Sequence, residues 1–378
     1  MTTTRPLAGL KVLEIGHSIA APYAGMILGE LGADVVKMEN PGHGDYARGW
    51  GPPFSRGSAT VFQAVNRAKR GITTDLKDDA QRARLRKLVI DEMDVVMHNL
   101  KPGAPERLGL GAAGLLAEKP SLIYCNLGAF GARGPLAGHP GYDPLMQAFG
   151  GLMSMLGEDG RPPVRVTASI MDLGTGMWTV IGILAAIIER ARTGRGGTID
   201  TSLFETSCAW MGIHLADFLQ SGQLPKRTGS GVGMIVPYQV FATSDGYLMV
   251  AAGNDSLFQR LCGALSRPDL AADPRFLKNA GRVENRPALI GALAETFAAQ
   301  PAAFWTEKLE ALGVPCGPVQ TLDQVVAHPQ TAALGILQDA PDASMRTIGL
   351  PLSFDGARPQ WQRAAPALGE HNHEVFRK

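Results

Sequence analysis

The sequence has few of the features that mark secreted, metal-binding or nucleic-acid-binding proteins. It contains only four cysteines in 378 residues, and none of them forms a CxxC pair. A disulfide framework or a zinc site is therefore not expected, and this usage fits a reducing, cytoplasmic location. Lys plus Arg is 36 and Asp plus Glu is 35, so the net charge is +1. That balance gives no reason to expect a nucleic acid or an anionic membrane as partner.

Three common catalytic motifs are also missing. The eight histidines show no HExxH or other ligand spacing, which predicts no metal site. No GxSxG occurs, so the nucleophile turn of a serine hydrolase is absent. The turn after the first predicted strand, residues 16–21, lacks GxGxxG, and we therefore expect no dinucleotide to bind there.

Long hydrophobic runs are rare as well. The longest, Met177–Ile188, is closed by Glu189 and Arg190. It is too short to span a bilayer and predicts a buried helix. The first six residues contain no apolar stretch, so we expect no secretory signal.

The first part of the chain alternates strand and helix patterns. Lys11–Ile15 and Asp34–Met38 are short apolar strands, and Ala20–Leu31 between them has helical spacing. A strand–helix–strand unit of about thirty residues predicts a parallel sheet. Further along, a helix is predicted at roughly 176–191 and another at 203–219. An α/β protein is therefore expected, with a large domain at 1–205 and 326–378, a linker at 206–224, and a smaller α+β domain at 225–325.

Asp172 stands before the long apolar helix, and its local sequence allows two interpretations. Asp is a common helix N-cap, and the local sequence favours that structural role. In the functional interpretation, Gly174 and Gly176 let a substrate approach the backbone, and free amides at the helix start stabilise an anion. The helix terminus would then also lower the pKa of Asp172 and keep its carboxylate ionised.

A glycine-rich stretch contains Gly229, Gly231 and Gly233. It lacks the Lys-Ser/Thr of a P-loop, and no predicted strand leads into it. A mobile loop over a site and a plain linker are both compatible with this composition.

Ordered sequence blocks along nearly the whole chain resemble the class III CoA-transferase family. Their order and spacing are more specific than any single block. The blocks are Pro6–Glu14, Ala21–Ala24, Leu31–Glu39, Gly44–Trp50, Asn66–Arg70, His98–Gly103, Arg107–Gly109, Gly141–Asp143, Gly150–Met153, Asp172–Gly176, Thr193–Gly196, Val236–Phe241, Asp245–Gly246, Val314–Pro318 and Leu368–His371.

The resemblance implies an enzyme that moves CoA between carboxylic acids, with acyl-CoA thioesters as substrates and no permanently bound cofactor. It also implies a Rossmann-like large domain built from both chain ends, a smaller domain, and an interlocked homodimer. Asp172 falls on the catalytic carboxylate of the family. The resemblance places the CoA site at Ile19, Ala20, Asn40, Thr74, Asp75, Leu76, Lys77, Asn99, Leu100, Lys101, Arg107 and Tyr142.

The sequence departs from its relatives at two of these positions. Asn40 stands where relatives often carry an Arg near CoA. Ile19 stands where the formyl-CoA:oxalate CoA-transferase of this family has Gln, which weakens any assignment of oxalate as the acceptor. Arg48–Phe54 and Ile235–Tyr238 look most like relatives that use succinyl-CoA and dicarboxylates.

Two other functions stay open at this point. The α-methylacyl-CoA racemases resemble this chain, but they use a His–Asp pair, and Tyr142 stands where they place the His. A neutral Tyr is a poor base near pH 7, which favours the transferase. A non-catalytic CoA-binding protein is the second alternative, and Asp172 argues against it only weakly.

Overall fold

The computed structural model describes residues 5–377. Helices alternate with strands through most of the chain. The strands are β1 Lys11–Ile15, β2 Asp34–Glu39, β3 Phe54–Ser55, β4 Ser58–Ala59, β5 Lys69–Thr73, β6 Val95–His98, β7 Ile123–Gly128, β8 Gly197–Ser202, β9 Tyr238–Ala242, β10 Tyr247–Ala251, β11 Cys316–Pro318, β12 Leu337–Asp339 and β13 Arg346–Ile348.

Most of the helices are short. They are α1 Ala20–Glu30, α2 Thr60–Asn66, α3 Asp79–Glu92, α4 Ala104–Arg107, α5 Ala112–Glu118, α6 Asp143–Phe149, α7 Leu152–Met155, α8 Ile170–Thr193, α9 Leu203–Trp210, α10 Gly212–Ser221, α11 Asp255–Ala264, α12 Pro268–Ala272, α13 Asn279–Glu284, α14 Arg286–Phe297, α15 Ala302–Ala311, α16 Leu322–Ala327, α17 Pro329–Ala333 and α18 Asn372–Val375.

The main sheet has six parallel strands in the order β5-β2-β1-β6-β7-β8. This confirms the predicted α/β class, and β1 and β2 of the predicted β1–α1–β2 unit pair side by side within it. One face packs on α3, with Leu13, Val36 and Ile72 of the strands against Leu85 and Val89 of the helix. Strands of a parallel sheet are buried on both faces, and most residues of β1, β2, β6 and β7 are buried here.

The chain forms two compact units. The first comprises the described residues up to Gly151, then Val166–Gly212 and the described residues from Pro329 onward. It contains the six-stranded sheet. The second comprises Leu152–Arg165 and Ile213–His328, and contains the antiparallel sheet β11-β10-β9 with its own buried core. The domain boundaries predicted from the sequence, with a linker at 206–224, stay a prediction.

The long helix α8 differs from its predicted form in extent and burial. It begins at Ile170, before the predicted start at Gly176, and runs for 24 residues. By length and composition alone it could cross a membrane, a property that core helices share. One face packs on α1 and α9, but Trp178, Ile181 and Ile188 are exposed. The expectation of a fully buried helix is therefore wrong for that outer face.

Candidate active site

The predicted CoA-binding stretches follow the carboxyl ends of neighbouring strands. Residues 16–19 follow β1, Asn40 follows β2, residues 74–77 follow β5, and residues 99–101 follow β6. In parallel sheets, ligands bind outside this edge, where the strand order reverses. Here it reverses between β1 and β6. At that point Asn99 accepts a hydrogen bond from the His17 amide at 3.1 Å and donates one to the His17 carbonyl at 2.8 Å.

Two adjoining cavities lie along this edge of the sheet. The first cavity, about 630 Å³, is lined by six of the predicted site residues: Ala20, Asn99, Leu100, Lys101, Tyr142 and Asp172. The second cavity, about 270 Å³, is lined by Asn40, Thr74, Asp75, Leu76, Lys77 and again Leu100. His17, Tyr46 and Leu100 line both cavities, so the two form one continuous cleft.

Two predicted residues fall outside the lining of this cleft. Ile19 is the residue that precedes α1, and its side chain is half-buried. Arg107 ends α4 and is exposed. Neither lines the first or the second cavity in the described part of the chain. Their assignment to the CoA site therefore stays a prediction based on the resemblance.

The predicted lid glycines belong to the second unit. The Gly229 amide donates to the Gly157 carbonyl at 3.1 Å. Arg286 donates to the carbonyls of Val232 and Gly233 at 2.6 and 2.9 Å. The loop is thus attached to its own unit at both ends.

Among the described residues that line the first cavity, Asp172 is the one carboxylate. It is the third residue of α8, and only 9% of its surface is exposed. Burial, with the nearby charge of Asp143, raises the pKa of Asp172 to about 7. The sequence predicted the opposite direction, because a helix N-terminus favours an anion. That effect is small beside the cost of removing a carboxylate from water.

The helix start is capped by Asp143 and not by Asp172. Ser169 occupies the N-cap position and makes no side-chain capping bond. Instead, Asp143 Oδ2 accepts hydrogen bonds from the amides of Met171 at 2.7 Å and Asp172 at 3.3 Å. These amides are the ones that an N-cap side chain ordinarily satisfies. The interpretation of Asp172 as a cap is therefore wrong.

The remaining amides of the first turn are also occupied. The Ile170 amide donates to the Ala168 carbonyl at 2.7 Å, and the Leu173 amide donates to the Ser169 carbonyl at 2.9 Å. No amide from Ile170 to Leu173 is thus left to stabilise a developing oxyanion. The sequence-based suggestion that the helix start holds such a charge is not supported by this geometry.

Gly174 and Gly176 serve the packing of α8 and not the approach of a substrate. A Cβ on Gly174 would lie 2.8 Å from the side chains of Thr206 and Trp210 on α9. A Cβ on Gly176 would lie 2.8 Å from the Ala20 carbonyl oxygen on α1. Both glycines therefore allow close helix contacts, and those contacts hold Asp172 against the cleft.

A cluster of buried charges lies beneath the loop that follows β1. Lys37 Nζ lies 3.0 Å from Glu14 and 2.9 Å from Asp45, and Lys69 Nζ lies 2.7 Å from the other oxygen of Glu14. Burial opposes the charge of Lys37, but Glu14 and Asp45 together raise its pKa above the ordinary value. Burial lowers the pKa of Lys69 to about 8. Removing one member would leave a buried charge unpaired, at a cost of several kcal/mol, roughly 3–5.

Asp45 connects this cluster to the cleft. Its Oδ1 accepts hydrogen bonds from the amides of Ser18 and Ala47, both at 2.9 Å. Ser18 has a φ of 70°, an uncommon conformation for a residue with a side chain. The buried carboxylate therefore holds the His17–Ser18 turn in place at the wall of the first cavity.

Sequence reasoning missed several residues of the cleft. Tyr46, Trp50 and His139 line the first cavity, but Tyr46 and Trp50 were noted only as part of matching blocks such as Gly44–Trp50, and none of the three was predicted as a site residue. Asp143 was noted only as part of a matching block. Nothing local in the sequence connects Asp143 to a helix that begins 27 positions later.

Known proteins resemble this chain over nearly its whole length. Residues 7–372 match the family described as CoA-transferase family III. The chain is 34% identical over 381 residues to succinyl-CoA:glutarate CoA-transferase from Homo sapiens, covering 100% of this chain and 87% of that protein. It is 37% identical over 367 residues to acetyl-CoA:oxalate CoA-transferase from Acetobacter aceti, covering 97% and 93%. A CAIB/BAIF family protein from Brucella suis has a similar crystal structure, with a TM-score of 0.88, 40% identity and 98% of each chain covered.

Proposed function

We propose that Asp172 carries the transferred groups covalently between donor and acceptor. The proposal starts from the family: the chain belongs to CoA-transferase family III and is a class III CoA-transferase. One observation supports this role above the others. Asp172 is the carboxylate of the first cavity, is almost buried, and is held there by contacts from three helices. A desolvated carboxylate interacts more strongly with a reacting carbonyl than a hydrated one.

The proposed reaction has four steps. The ionised Asp172 attacks the carbonyl of the donor thioester, the C–S bond breaks, and CoA leaves as a thiolate from an aspartyl–acyl anhydride. The thiolate attacks the aspartyl carbonyl, which forms aspartyl-CoA and releases the donor acid. The acceptor carboxylate then attacks aspartyl-CoA and displaces the thiolate, giving a second anhydride. The thiolate finally attacks the acceptor acyl carbon, which yields acceptor acyl-CoA and restores Asp172.

The cleft can hold an extended thioester across these steps. The thioester end would lie beside Asp172 in the first cavity, and the nucleotide end would lie at Thr74–Lys77 in the second. The route between them passes Leu100 and Tyr46, which line both cavities.

Covalent trapping tests the role of Asp172. Wild-type protein given an acyl-CoA donor and then hydroxylamine should carry a hydroxamate at Asp172, detected by peptide mass spectrometry. Asp172→Asn keeps the side-chain volume but removes the anionic nucleophile, so turnover should be nearly abolished. Near-normal turnover of the Asn variant, with deamidation excluded by intact mass, would show that Asp172 is not the nucleophile.

We also propose succinyl-CoA as the donor and a dicarboxylate as the acceptor. The human relative carries a name of this kind, and residues 48–54 resemble such enzymes in sequence. Arg48 itself is bound to Glu39 at 2.6 and 2.8 Å, so its charge is already used within the turn. A panel of acids offered with succinyl-CoA or acetyl-CoA, read by mass spectrometry of the CoA products, would identify the pair. Faster transfer from acetyl-CoA to oxalate would contradict this assignment.

We propose that the protein is a homodimer. In the first unit, α8 exposes Trp178, Ile181 and Ile188 along one face. In the second unit, α10 has no buried residue, although Ile213 and Leu219 are large and apolar. Apolar surface of this extent marks an interaction site, and the family resemblance supports a second copy as its partner. If the subunits are interlocked, tagged and untagged dimers mixed in native buffer should form no hybrids; rapid hybrid formation would contradict interlocking.

We propose further that the Gly229–Gly233 loop excludes water during the reaction. An anhydride hydrolyses readily, and a loop that closes over it would suppress this loss. A Cβ at Gly231 would lie 3.0 Å from both Arg286 and the Thr228 carbonyl oxygen, so Gly231→Val should distort the loop. The variant should raise the ratio of acyl-CoA hydrolysis to transfer. An unchanged ratio would remove the loop from this role.

A further inference from the structure

The turn between β2 and β3 presents two stacked aromatic rings to the second cavity. The ring centroids of His43 and Tyr46 lie 5.1 Å apart with an angle of 8° between their planes. Both residues line the second cavity, and both are exposed. Because the rings stack on each other, each keeps one outer face on which a planar ligand can stack.

This turn is rigidly constructed. Glu39 accepts from the Asp45 amide at 2.8 Å and from Arg48, while buried Asp45 pairs with Lys37. Gly44 has a φ of 63°, and a Cβ there would lie 3.0 Å from Glu39. The positions of the two rings are therefore determined by buried charged groups beneath them, as in a preformed binding surface.

Asn40 has a structural part in the same turn. Its Oδ1 accepts from the amides of Gly42 at 2.8 Å and His43 at 3.4 Å. The His43 Nδ1 lies 2.7 Å from the Gly44 carbonyl oxygen, and it donates its hydrogen there because a carbonyl can only accept. The Asn40 side chain thus shapes the turn and supplies no positive charge to the cleft, while the Gly44 carbonyl orients the imidazole.

We propose that the His43–Tyr46 pair is an aromatic shelf that binds the adenine base of the CoA thioester. The proposal rests on the proposed function, because it takes a CoA thioester as the ligand of the cleft. A purine is planar, and its face stacks on aromatic rings irrespective of hydrogen-bonding partners. Lys77 lines the same cavity and offers a cation for the phosphates of the same nucleotide. The shelf therefore recognises the nucleotide by stacking. Residue 40, where relatives often carry an Arg near CoA, is Asn in this chain and offers no cation.

Direct binding tests the shelf independently of catalysis. The probes are free CoA and adenosine 3′,5′-bisphosphate, measured by isothermal titration calorimetry on the full-length protein. His43→Ala and Tyr46→Leu should each raise Kd about tenfold, the size of effect that loss of one base–aromatic stack produces. Tyr46→Phe keeps the ring and should bind within about twofold of wild type. Tyr247→Leu, an exposed tyrosine of the second unit, is the matched control and should leave Kd unchanged.

Kinetics with a truncated substrate completes the test. In the succinyl thioester of pantetheine the nucleotide is missing, so the shelf has nothing to bind. The His43→Ala variant, whose residue lines the second cavity and not the first, should lose about tenfold in kcat/KM with succinyl-CoA but retain the wild-type value with the truncated thioester. Equal losses with both substrates, or unchanged CoA binding in both shelf variants, would overturn the proposal. Wild-type protein that binds CoA but transfers no acyl group would instead contradict the proposed function and leave the shelf standing.

Discussion

The raised pKa of Asp172 makes the free energy of unfolding depend on pH in a way that one substitution can reveal. The pKa rises from 3.8 to about 7 on folding because burial and Asp143 disfavour the charge. Between these values the folded protein keeps a proton that the unfolded chain has lost. Stability therefore falls as pH rises through this window, and the loss is complete above about pH 7.

The magnitude follows from the size of the shift. Each pKa unit corresponds to about 1.4 kcal/mol, so ionisation of Asp172 costs the folded state about 4 kcal/mol above neutrality. Asp172→Asn removes this cost while keeping the side-chain size. We expect the inactive variant to be more stable than wild type, by about 2 kcal/mol at pH 5.5 and about 4 kcal/mol at pH 8.

Urea unfolding at several pH values provides the measurement. Tryptophan fluorescence is a suitable signal, because Trp178 lies on α8 and the Trp210 Nε1 donates to the Ile170 carbonyl at 3.4 Å. Asp159→Asn, at an exposed position, is the control and should show no comparable pH-dependent gain. A stability difference between Asp172→Asn and wild type that does not change with pH would refute the reasoning. So would a variant less stable than wild type at pH 8.

Three further outcomes are expected. Asp143→Asn removes the charge that helps to raise the pKa of Asp172. The wild-type profile of kcat/KM against pH should have its midpoint near 7, and the midpoint of the variant should lie lower. An unmoved midpoint would leave Asp143 with a capping role alone. Gly176→Val should destabilise the protein by about 1–3 kcal/mol through overpacking against α1, whereas Gly114→Ala, with no atom within 4 Å of the new Cβ, should be neutral or slightly stabilising in thermal unfolding. A 2-methylacyl-CoA incubated with the enzyme in heavy water should keep its α-proton, and steady deuterium uptake by mass spectrometry would instead indicate racemase chemistry.

The parallel sheet could be predicted because its signals are local. Three patterns lie close together along the chain: the apolar run Lys11–Ile15, the helical spacing that follows, and the second apolar run that starts at Asp34. The structure has these elements at nearly the predicted bounds. The CoA-binding stretches were predicted by resemblance, and their common position at the carboxyl edge follows from parallel topology. The structure brings Asn40, Thr74–Lys77 and Asn99–Lys101 together there.

The surroundings of Asp172 could not be predicted in the same way. The helix was expected at roughly 176–191, but in the structure it begins at Ile170. In the structure Asp143 caps the first turn from α6, and the glycines are required by the close approach of α1 and α9. The sign of the pKa shift was wrong for a related reason. A helix terminus is visible in sequence, but burial depends on residues that are distant along the chain.

The capping of α8 by Asp143 has a consequence for when the protein becomes reactive. A chain still being synthesised, or one partly unfolded, has an aspartate at position 172 that is hydrated and ordinary. Only when α6 has docked onto the start of α8 does that side chain become a shielded carboxylate facing the cleft. Under the proposed function, reactivity toward acyl-CoA therefore requires that α6 has docked onto the start of α8.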